Sequence, residues 1–348
     1  MTIHFLTGFE GCGSSADCEA LLYSSTPYFH SQYGSFEYLS SGGYLDGKCV
    51  RMKNTYSGHN YSGARVVDNL PTALVGKTVA VGLRIYSEGY GFYTNNAYAG
   101  AIIGFRGPEI YIANTNPITI YRGGTLIGTA SAGIALNTFR HIEVLLFSDG
   151  SAGTVTIKVE GTEVYAGTSL NTGGDDITGI QYSSDGKSST YRRYDDIYYA
   201  DELQGQLTMT RCSPVSDDSC DFTPSTGSDN YAMVDDTGQD GDSTYNQSST
   251  LNNKDIFNYE DLDNENIEIK AISIVTVAKK IDAGDRSITH KAVQDSTEYD
   301  QTEFELTDSY KTGVGVEPYI DVLPTCPDGS SWTPTKFQSI KFGYEITV

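Results

Sequence analysis

The segment from Phe139 to Tyr165 has the sequence pattern of two successive antiparallel hairpins. Residues 140–147 (RHIEVLLF) are apolar and β-branched, and residues 148–153 (SDGSAG) are turn formers. Residues 154–159 then alternate between polar and apolar, and residues 160–162 (EGT) turn the chain again. Three strands joined by two tight turns in 27 residues are typical of a β-sandwich.

The alternation also predicts which side chains face the core. Successive side chains of a strand point to opposite faces of the sheet, so Val155, Ile157 and Val159 are expected to point one way, into a core. Thr156 lies on the opposite, solvent face. Further along the pattern, the dipeptide at 123–124 (GG) has the composition of a two-residue hairpin turn.

The chain length and composition predict two all-β domains. A chain of 348 residues is longer than one hydrophobic core usually serves. Tyrosine occurs 26 times and glycine 37 times, and short β-type runs broken by turn formers extend from Phe5 to about Ala200. After Asp201 the sequence becomes richer in polar residues. We therefore expect a first domain at 1–203 and a second at 204–348.

The net charge excludes one class of partner. Lys and Arg number 23 against 45 Asp and Glu, which gives a formal charge of −22 and an isoelectric point near 4.4. Such a chain repels a phosphate backbone, so nucleic acid is not an expected partner. No apolar run is long enough for a membrane span, and the start at 1–6 (MTIHFL) lacks the pattern of a signal peptide.

The second domain is predicted to be a β-sandwich built around a long hairpin. Residues 267–278 alternate for most of their length, residues 282–285 (DAGD) form a turn, and residues 286–293 can return as the partner strand. Residues 341–348 give a C-terminal strand.

The first domain resembles the laminin-G or concanavalin-like jelly roll. The resemblance lies in the aromatic Phe139 followed by His-Ile-Glu-Val at 141–144, in FLTGFEG at 5–11 and in DDIY at 195–198. It implies an N-terminal concanavalin/laminin-G-like jelly-roll sandwich.

The rest of the chain resembles a module that follows such a domain in virion proteins of tailed bacteriophages. The matching segments preserve their order over about 140 residues, and they are DFTPSTGSDNY at 221–231, VDD at 234–236, DSTY at 242–245, NKDIF at 253–257, the strand at 267–280, DAGDRSI at 282–288, WT at 332–333 and FGYE at 342–345. The resemblance implies a virion protein made in the host cytoplasm.

Three functional hypotheses follow. The first is a non-enzymatic structural protein on the capsid or tail surface of a phage particle, of the decoration, head-fibre or tail-fibre type. Its partners would be other virion proteins and further copies of itself in a homo-oligomer. The second is a carbohydrate-binding adhesin for a host surface glycan, and the third is a polysaccharide hydrolase.

Catalytic signatures are lacking in the sequence, so we expect no enzymatic activity. A nucleophilic serine is usually marked by a GxSxG turn, and none is present. The five histidines lie far apart and lack motif context. No repeat of 20–30 residues indicates the parallel β-helix usual for depolymerising tail spikes.

A tyrosine-rich loop is the predicted glycan or partner site. The sequence YSEGYGFYTNNAY at 86–98 offers aromatic rings for stacking and amides for hydrogen bonds. The candidate residues are Tyr86, Tyr90, Phe92, Tyr93, Asn95, Asn96 and Tyr98. Alternatively, the loop packs on the sandwich or on a neighbouring subunit.

Calcium is the predicted metal, because laminin-G-like domains often hold one at the sandwich rim and loop carboxylates suit it. The candidate ligands are Asp149, Asp175, Asp176, Asp195 and Asp196. The last two could instead end a loop before a strand.

Six cysteines permit local disulfides. Cys12 and Cys18 flank one short loop and Cys212 and Cys220 another, so each pair is a candidate bridge under oxidising conditions. Without CxxC spacing or neighbouring histidines, the pairs do not indicate a zinc site.

Overall fold

The protein is all-β, as predicted, and folds into two compact units. The computed structural model describes residues 2–9, 34–44, 48–54, 65–70, 72–89, 101–183, 191–236, 238, 240–262, 264–310 and 318–348. Among these, unit 1 contains the residues up to Met209. Unit 2 contains those from Thr210 onward.

Unit 1 consists of an eight-stranded and a six-stranded antiparallel sheet, which we name sheet A and sheet B. Sheet A contains β1 (Ile3–Thr7), β2 (Gly34–Leu39), β3 (Cys49–Asn54), β5 (Thr78–Ser87), β10 (Phe139–Phe147), β11 (Gly153–Val159), β12 (Thr162–Leu170) and β14 (Tyr191–Ala200). Sheet B contains β4 (Arg65–Asn69), β6 (Ala101–Arg106), β7 (Ile110–Ala113), β8 (Thr119–Arg122), β9 (Thr125–Thr129) and β13 (Gly179–Ser183). Sheet A runs in the order β12-β11-β10-β5-β14-β3-β2, with β1 also on β14, and sheet B runs β4-β13-β6-β7-β8-β9.

The two sheets of unit 1 pack face to face as a jelly-roll sandwich. Apolar side chains at alternate positions of β5 and β10, such as Leu83 opposite Ile142, are fully buried between them. Hydrogen bonds also cross this core, since the Tyr182 hydroxyl donates to the Tyr199 hydroxyl at 2.7 Å. The fully buried Arg192 donates to the Ala101 carbonyl at 3.2 Å. The inner face of sheet A is therefore core, and its outer face is left for other contacts.

The two hairpins predicted at 139–165 are confirmed. Strand β10 pairs with β11 and β11 pairs with β12. Glu160 and Gly161 have φ values of 50° and 75°, which is the left-handed geometry of a two-residue turn. Val155 and Ile157 are fully buried and Val159 is half-buried, as the alternation predicts.

Unit 2 has a five-stranded antiparallel sheet in the order β15-β18-β23-β20-β21 and two two-stranded sheets, β16-β17 and β19-β22. The strands are β15 (Pro214–Cys220), β16 (Thr223–Pro224), β17 (Asn246–Gln247), β18 (Lys254–Tyr259), β19 (Ile272–Thr276), β20 (Ser287–Gln294), β21 (Thr297–Glu305), β22 (Tyr319–Leu323) and β23 (Lys341–Ile346). The β19-β22 pair lies on the five-stranded sheet, with Ile274 packed against a cluster that includes Trp332 and Phe342. This arrangement makes unit 2 a β-sandwich.

The long hairpin predicted in unit 2 is wrong. Strand β19 is short and pairs with β22, while β20 is flanked by β21 and β23. The turn formers at 282–285 therefore lie in a crossover between two sheets. Here the strong local turn signal is overridden by burial, because the almost wholly buried β20 requires partners on both edges.

A short helix, α1 (Pro334–Ser339), precedes β23. It is capped by Thr333, whose hydroxyl accepts a hydrogen bond from the Lys336 amide at 3.2 Å. In the part of the chain that the structure describes, no helix has the length and apolarity needed to cross a membrane.

Candidate functional site

The outer face of sheet A is unusually polar and aromatic. Its cross-strand rows on β10, β5 and β14 place side chains directly opposite one another, and these rows are Phe139–Tyr86–Arg193, His141–Arg84–Asp195 and Glu143–Gly82–Tyr198. The first row is partly exposed, whereas the other two are buried. The face therefore divides into an accessible part and a covered part.

The covered part forms hydrogen bonds with the last segment of unit 1, residues 201–209, which we name the strap. One oxygen of the buried Glu143 accepts hydrogen bonds from the Tyr198 hydroxyl and from the Gly205 amide, the latter at 2.7 Å. The Gln204 amide in turn donates to the Tyr198 hydroxyl at 3.1 Å. The carboxylate thus anchors the chain.

A β-bulge in β14 gives the strap a second anchor. The register of β14 against β5 shifts between Asp195 and Tyr198, and Asp196 has a φ of 47°. This re-aims its carboxylate at Arg84, whose Nε lies 3.0 Å from Oδ2. The other oxygen, Oδ1, accepts from the Met209 amide at 2.9 Å. Both members of this ion pair have side chains at most 5% exposed.

His141 is fully buried beside these groups. Burial lowers its pKa to about 4, with a smaller contribution from Arg84 in the same direction and opposition from Glu143 and Glu160. Its imidazole is therefore uncharged at neutral pH. Neither ring nitrogen has a hydrogen-bond partner within the described ranges.

The accessible part is a row of alternating guanidinium groups and aromatic rings, which we name the stacked row: Arg51, Tyr191, Arg193, Tyr86 and Phe139. The Arg51 guanidinium lies 5.4 Å from the Tyr191 ring centre, and that of Arg193 lies 5.1 Å from Tyr191 and 4.8 Å from Tyr86. The Tyr86 and Phe139 ring centres are 5.7 Å apart. The stacked row crosses β3, β14, β5 and β10, and each of its residues is partly exposed.

Neighbouring groups fix the stacked row at both ends. Glu37 on β2 forms an ion pair with Arg51. At the other end, the Tyr44 ring lies 6.3 Å from Phe139 and its face lies 3.5 Å from the Arg84 guanidinium. Since the side chains are held by stacking on rigid strands, they form a preorganised surface.

Such a surface has the chemistry of a sugar-binding platform. Aromatic rings bind the apolar C–H face of a pyranose, while guanidinium N–H groups and phenolic hydroxyls bind its oxygen atoms. The row spans four neighbouring strands, which lie about 4.8 Å apart.

The predicted glycan loop is only partly described. Tyr86 lies in the stacked row, which agrees with a role in binding without testing it. The other candidates lie outside the described residues, and they are Tyr90, Phe92, Tyr93, Asn95, Asn96 and Tyr98.

The five predicted calcium ligands do not form one site. The buried Asp195 accepts from the Tyr44 amide at 2.8 Å, and Asp196 pairs with Arg84. Asp149 Oδ1 instead accepts from the amides of its own turn, which lowers its pKa. In the described part of the chain, no group of three or more His, Cys, Asp or Glu side chains could hold a metal ion.

The remaining two calcium candidates lie on an exposed loop. Asp175 and Asp176 are both exposed, and Asp176 forms a 2.9 Å ion pair with Lys77. The run of aspartates in the sequence thus reflects separate turn and ion-pair roles.

The predicted bridge between Cys212 and Cys220 is also wrong. Among the described residues, no disulfide joins the two cysteines. Strand β15 extends from Pro214 to Cys220, and its six residue steps of about 3.3 Å each carry Cys220 away from Cys212, which precedes the strand by two residues. The Cys220 sulfur instead lies 3.8 Å from the Ile256 carbonyl oxygen. Cys12 and Cys18 lie outside the described residues.

Sequence reasoning missed four members of the stacked row: Arg51, Phe139, Tyr191 and Arg193. One signal was available, since YRRY at 191–194 alternates in a strand and places Tyr191 and Arg193 on one face. The pairing that brings them beside Arg51 and Tyr86 is long-range, so no local pattern contains it.

No protein-family model and no curated protein matches the sequence. Solved structures with some likeness include a sialidase, 12% identical with a TM-score of 0.36, over 55% of this chain and 18% of the sialidase. A seed lectin of Lotus tetragonolobus is 8% identical with a TM-score of 0.33, over 52% of this chain and 100% of the lectin. A carbohydrate-binding module from Bacillus subtilis is 12% identical with a TM-score of 0.27, over 49% and 97%. The chain spans less than a fifth of the sialidase. The candidate site is defined by the contacts within this chain and not by these likenesses.

Proposed function

We propose that this chain is a non-enzymatic carbohydrate-binding protein that uses the stacked row of unit 1 to attach to a glycan of a cell surface. The observation that carries the proposal is the continuous, partly exposed alternation of guanidinium groups and aromatic rings across four strands. Rigid aromatic side chains lose little conformational entropy on binding, which favours their use in recognition.

The absence of catalysis in this proposal is supported by the burial of the acid–base candidates. His141 and Glu143 are fully buried, and Asp196 is 3% exposed. A general acid or base must reach within hydrogen-bonding distance of the substrate. Here Glu143 and Asp196 accept hydrogen bonds from the strap that covers them.

Replacing Tyr191 by alanine is expected to weaken glycan binding at least about fivefold, because one stacking surface is worth roughly 1 kcal/mol beyond its buried area. Tyr86→Ala removes the next ring of the row, and we expect a similar loss. Binding is measured on a panel of immobilised bacterial capsular and cell-envelope polysaccharides, with affinities for any ligand found determined by calorimetry.

The matched control is Tyr299→Ala, which removes a half-buried tyrosine on β21 of unit 2. This variant should bind like the parent protein. Equal losses in all three variants would assign the effect to general destabilisation. If the parent protein binds no polysaccharide on the panel, the proposed function is wrong, and release of reducing ends from any of them would contradict its non-enzymatic part.

We further propose that the protein lies on the capsid or tail surface of a phage particle, as a homo-oligomer in contact with other virion proteins. The support is the ordered sequence resemblance of residues 205–348 to a virion module. Antibodies against the chain should label intact purified particles, and gel densitometry gives the copy number. Hundreds of copies correspond to a capsid location and a handful to the tail. Particles that lack the chain would contradict this part of the proposal.

A further inference from the structure

The stacked row is rich in cations, although the whole chain is acidic. The chain carries a formal charge of −22. On the outer face of β3 and β14, however, Arg51, Lys53 and Arg193 lie within one cross-strand neighbourhood. Among the described residues, the carboxylates close to these cations include Glu37, paired with Arg51, and Glu88, which accepts a hydrogen bond from the Tyr191 hydroxyl. A third is the buried Asp195, two residues after Arg193 on the same face of β14.

The distant carboxylates of the chain contribute little to the electrostatic potential at the row. At physiological ionic strength, charges more than about 8 Å apart are largely screened from one another. A ligand seated on the row therefore experiences the nearby guanidinium groups rather than the net charge of the protein.

Arg193 is the central cation of the row, and it differs from its neighbours in its partners. Arg51 and Arg84 each form an ion pair with a carboxylate. Arg193 donates instead to neutral oxygens, the Gly42 carbonyl at 2.7 Å and the Tyr191 hydroxyl at 3.0 Å. In the part of the chain that the structure describes, Arg193 forms no ion pair with a carboxylate, and its Nε–H is buried without an acceptor.

A guanidinium has five N–H donors. Nε is buried, and Nη1 and Nη2 each donate one hydrogen bond, so the donors left for a ligand are the second N–H groups of Nη1 and Nη2. A planar carboxylate matches two parallel N–H groups of a guanidinium, and such charge-assisted bonds are about twice as strong as neutral ones. The flanking rings of Tyr86 and Tyr191 hold the guanidinium in place between two stacking surfaces.

We infer that the ligand of the stacked row is a carboxylated sugar, with its carboxylate on Arg193 and its ring on Tyr86 or Tyr191. This inference rests on the proposed carbohydrate-binding function and adds the chemical class of the ligand. Arg193 is the residue that selects the acid, whereas the tyrosines bind the sugar ring whether or not it is charged.

The test compares acidic oligosaccharides with their own carboxyl-reduced, neutral forms. Fragments of polygalacturonate, polymannuronate and polysialate are each paired with the reduced counterpart, and affinities are measured by calorimetry at two salt concentrations. We expect at least one acidic member to bind at least about tenfold more tightly than its neutral form. This preference should decrease at the higher salt concentration.

Variants assign the preference to one residue. In Arg193→Gln the acidic and neutral forms should bind alike, while Arg193→Lys, which keeps the charge but not the planar fork, should retain part of the preference. Arg106→Gln, at an exposed position of sheet B, is the matched control and should bind like the parent. Thermal unfolding of each variant separates a lost contact from a lost fold.

Three results would contradict the inference, its assignment to Arg193 or the proposed function. Equal affinity of the parent protein for both members of every pair overturns the carboxylate inference and leaves the carbohydrate-binding proposal intact. A preference that survives in Arg193→Gln overturns the assignment to Arg193. Failure to bind any acidic or neutral sugar, here and on the polysaccharide panel, overturns the proposed function itself.

Discussion

Alanine in place of Gly82 should destabilise unit 1 by about 3 kcal/mol or more, at the upper end of overpacking effects in protein cores. A Cβ atom on Gly82 would lie 2.0 Å from Cε1 and 2.3 Å from Cζ of the Tyr198 ring. This ring cannot move aside cheaply, because it is fully buried and its hydroxyl bonds both Glu143 and the Gln204 amide. Thermal unfolding followed by circular dichroism measures the loss.

Gly76→Ala is the matched control for this prediction. Nothing lies within 4 Å of a Cβ built on Gly76, so this variant should unfold within a few degrees of the parent. The strap should also become more accessible in Gly82→Ala, which limited proteolysis between residues 201 and 209 would detect. A Gly82→Ala protein as stable as the control would mean that Tyr198 does not lie over β5 as described.

The parts of the fold that the sequence predicts well are those in which one local pattern contains the whole answer. The hairpins at 139–165 need only alternation, two turns and adjacent partners, and all three are present in the same segment. The C-terminal strand at 341–346 is likewise recognised by composition alone. Composition does not predict its position at the centre of the five-stranded sheet, between β18 and β20.

Sequence reasoning fails where several partners compete for one element. The turn at 282–285 suggested that β19 pairs with β20, but long-range burial selected β21 and β23 as neighbours of β20. The same limit applies to the candidate site. Asp196 looked like a metal ligand, and only the bulge in β14 shows that it is directed at Arg84.

The bulge also explains how one sheet face serves two purposes. Before it, Tyr191 and Arg193 lie in the partly exposed stacked row. After it, Tyr198 and the re-aimed Asp196 lie beneath the strap. A strand in perfect register would continue one alternation along its whole length. The irregularity thus directs Asp196 and Tyr198 to the strap, while Tyr191 and Arg193 stay in the partly exposed row.

Replacing Asp321 by asparagine should destabilise unit 2 by about 2 kcal/mol, as expected when a buried carboxylate that accepts hydrogen bonds is replaced by a neutral amide. His290 on β20 is fully buried, with Nδ1 2.8 Å from Asp321 Oδ2 and Nε2 2.9 Å from the Thr276 hydroxyl. The Thr302 amide also donates to Asp321. The imidazole therefore joins the five-stranded sheet to both strands of the β19-β22 pair, and thermal unfolding at pH 7 measures what this link contributes.

The destabilisation caused by Asp321→Asn should depend on pH, and the pKa of Asp321 sets the direction of that dependence. Burial alone would raise the pKa of Asp321, but hydrogen bonds from His290 and Thr302 outweigh it and lower the pKa below the ordinary value of 3.8. The stabilisation by its carboxylate is thus present above about pH 4 and is lost as pH falls through the folded-state pKa. The gap in melting temperature between the parent and Asp321→Asn should be widest near neutral pH and should narrow below pH 4. The matched control is Asp285→Asn, on an exposed loop, which should change the melting temperature little at neutral or acidic pH. A difference in melting temperature between the parent and Asp321→Asn that stays constant down to pH 2 would show that the carboxylate charge does not stabilise unit 2.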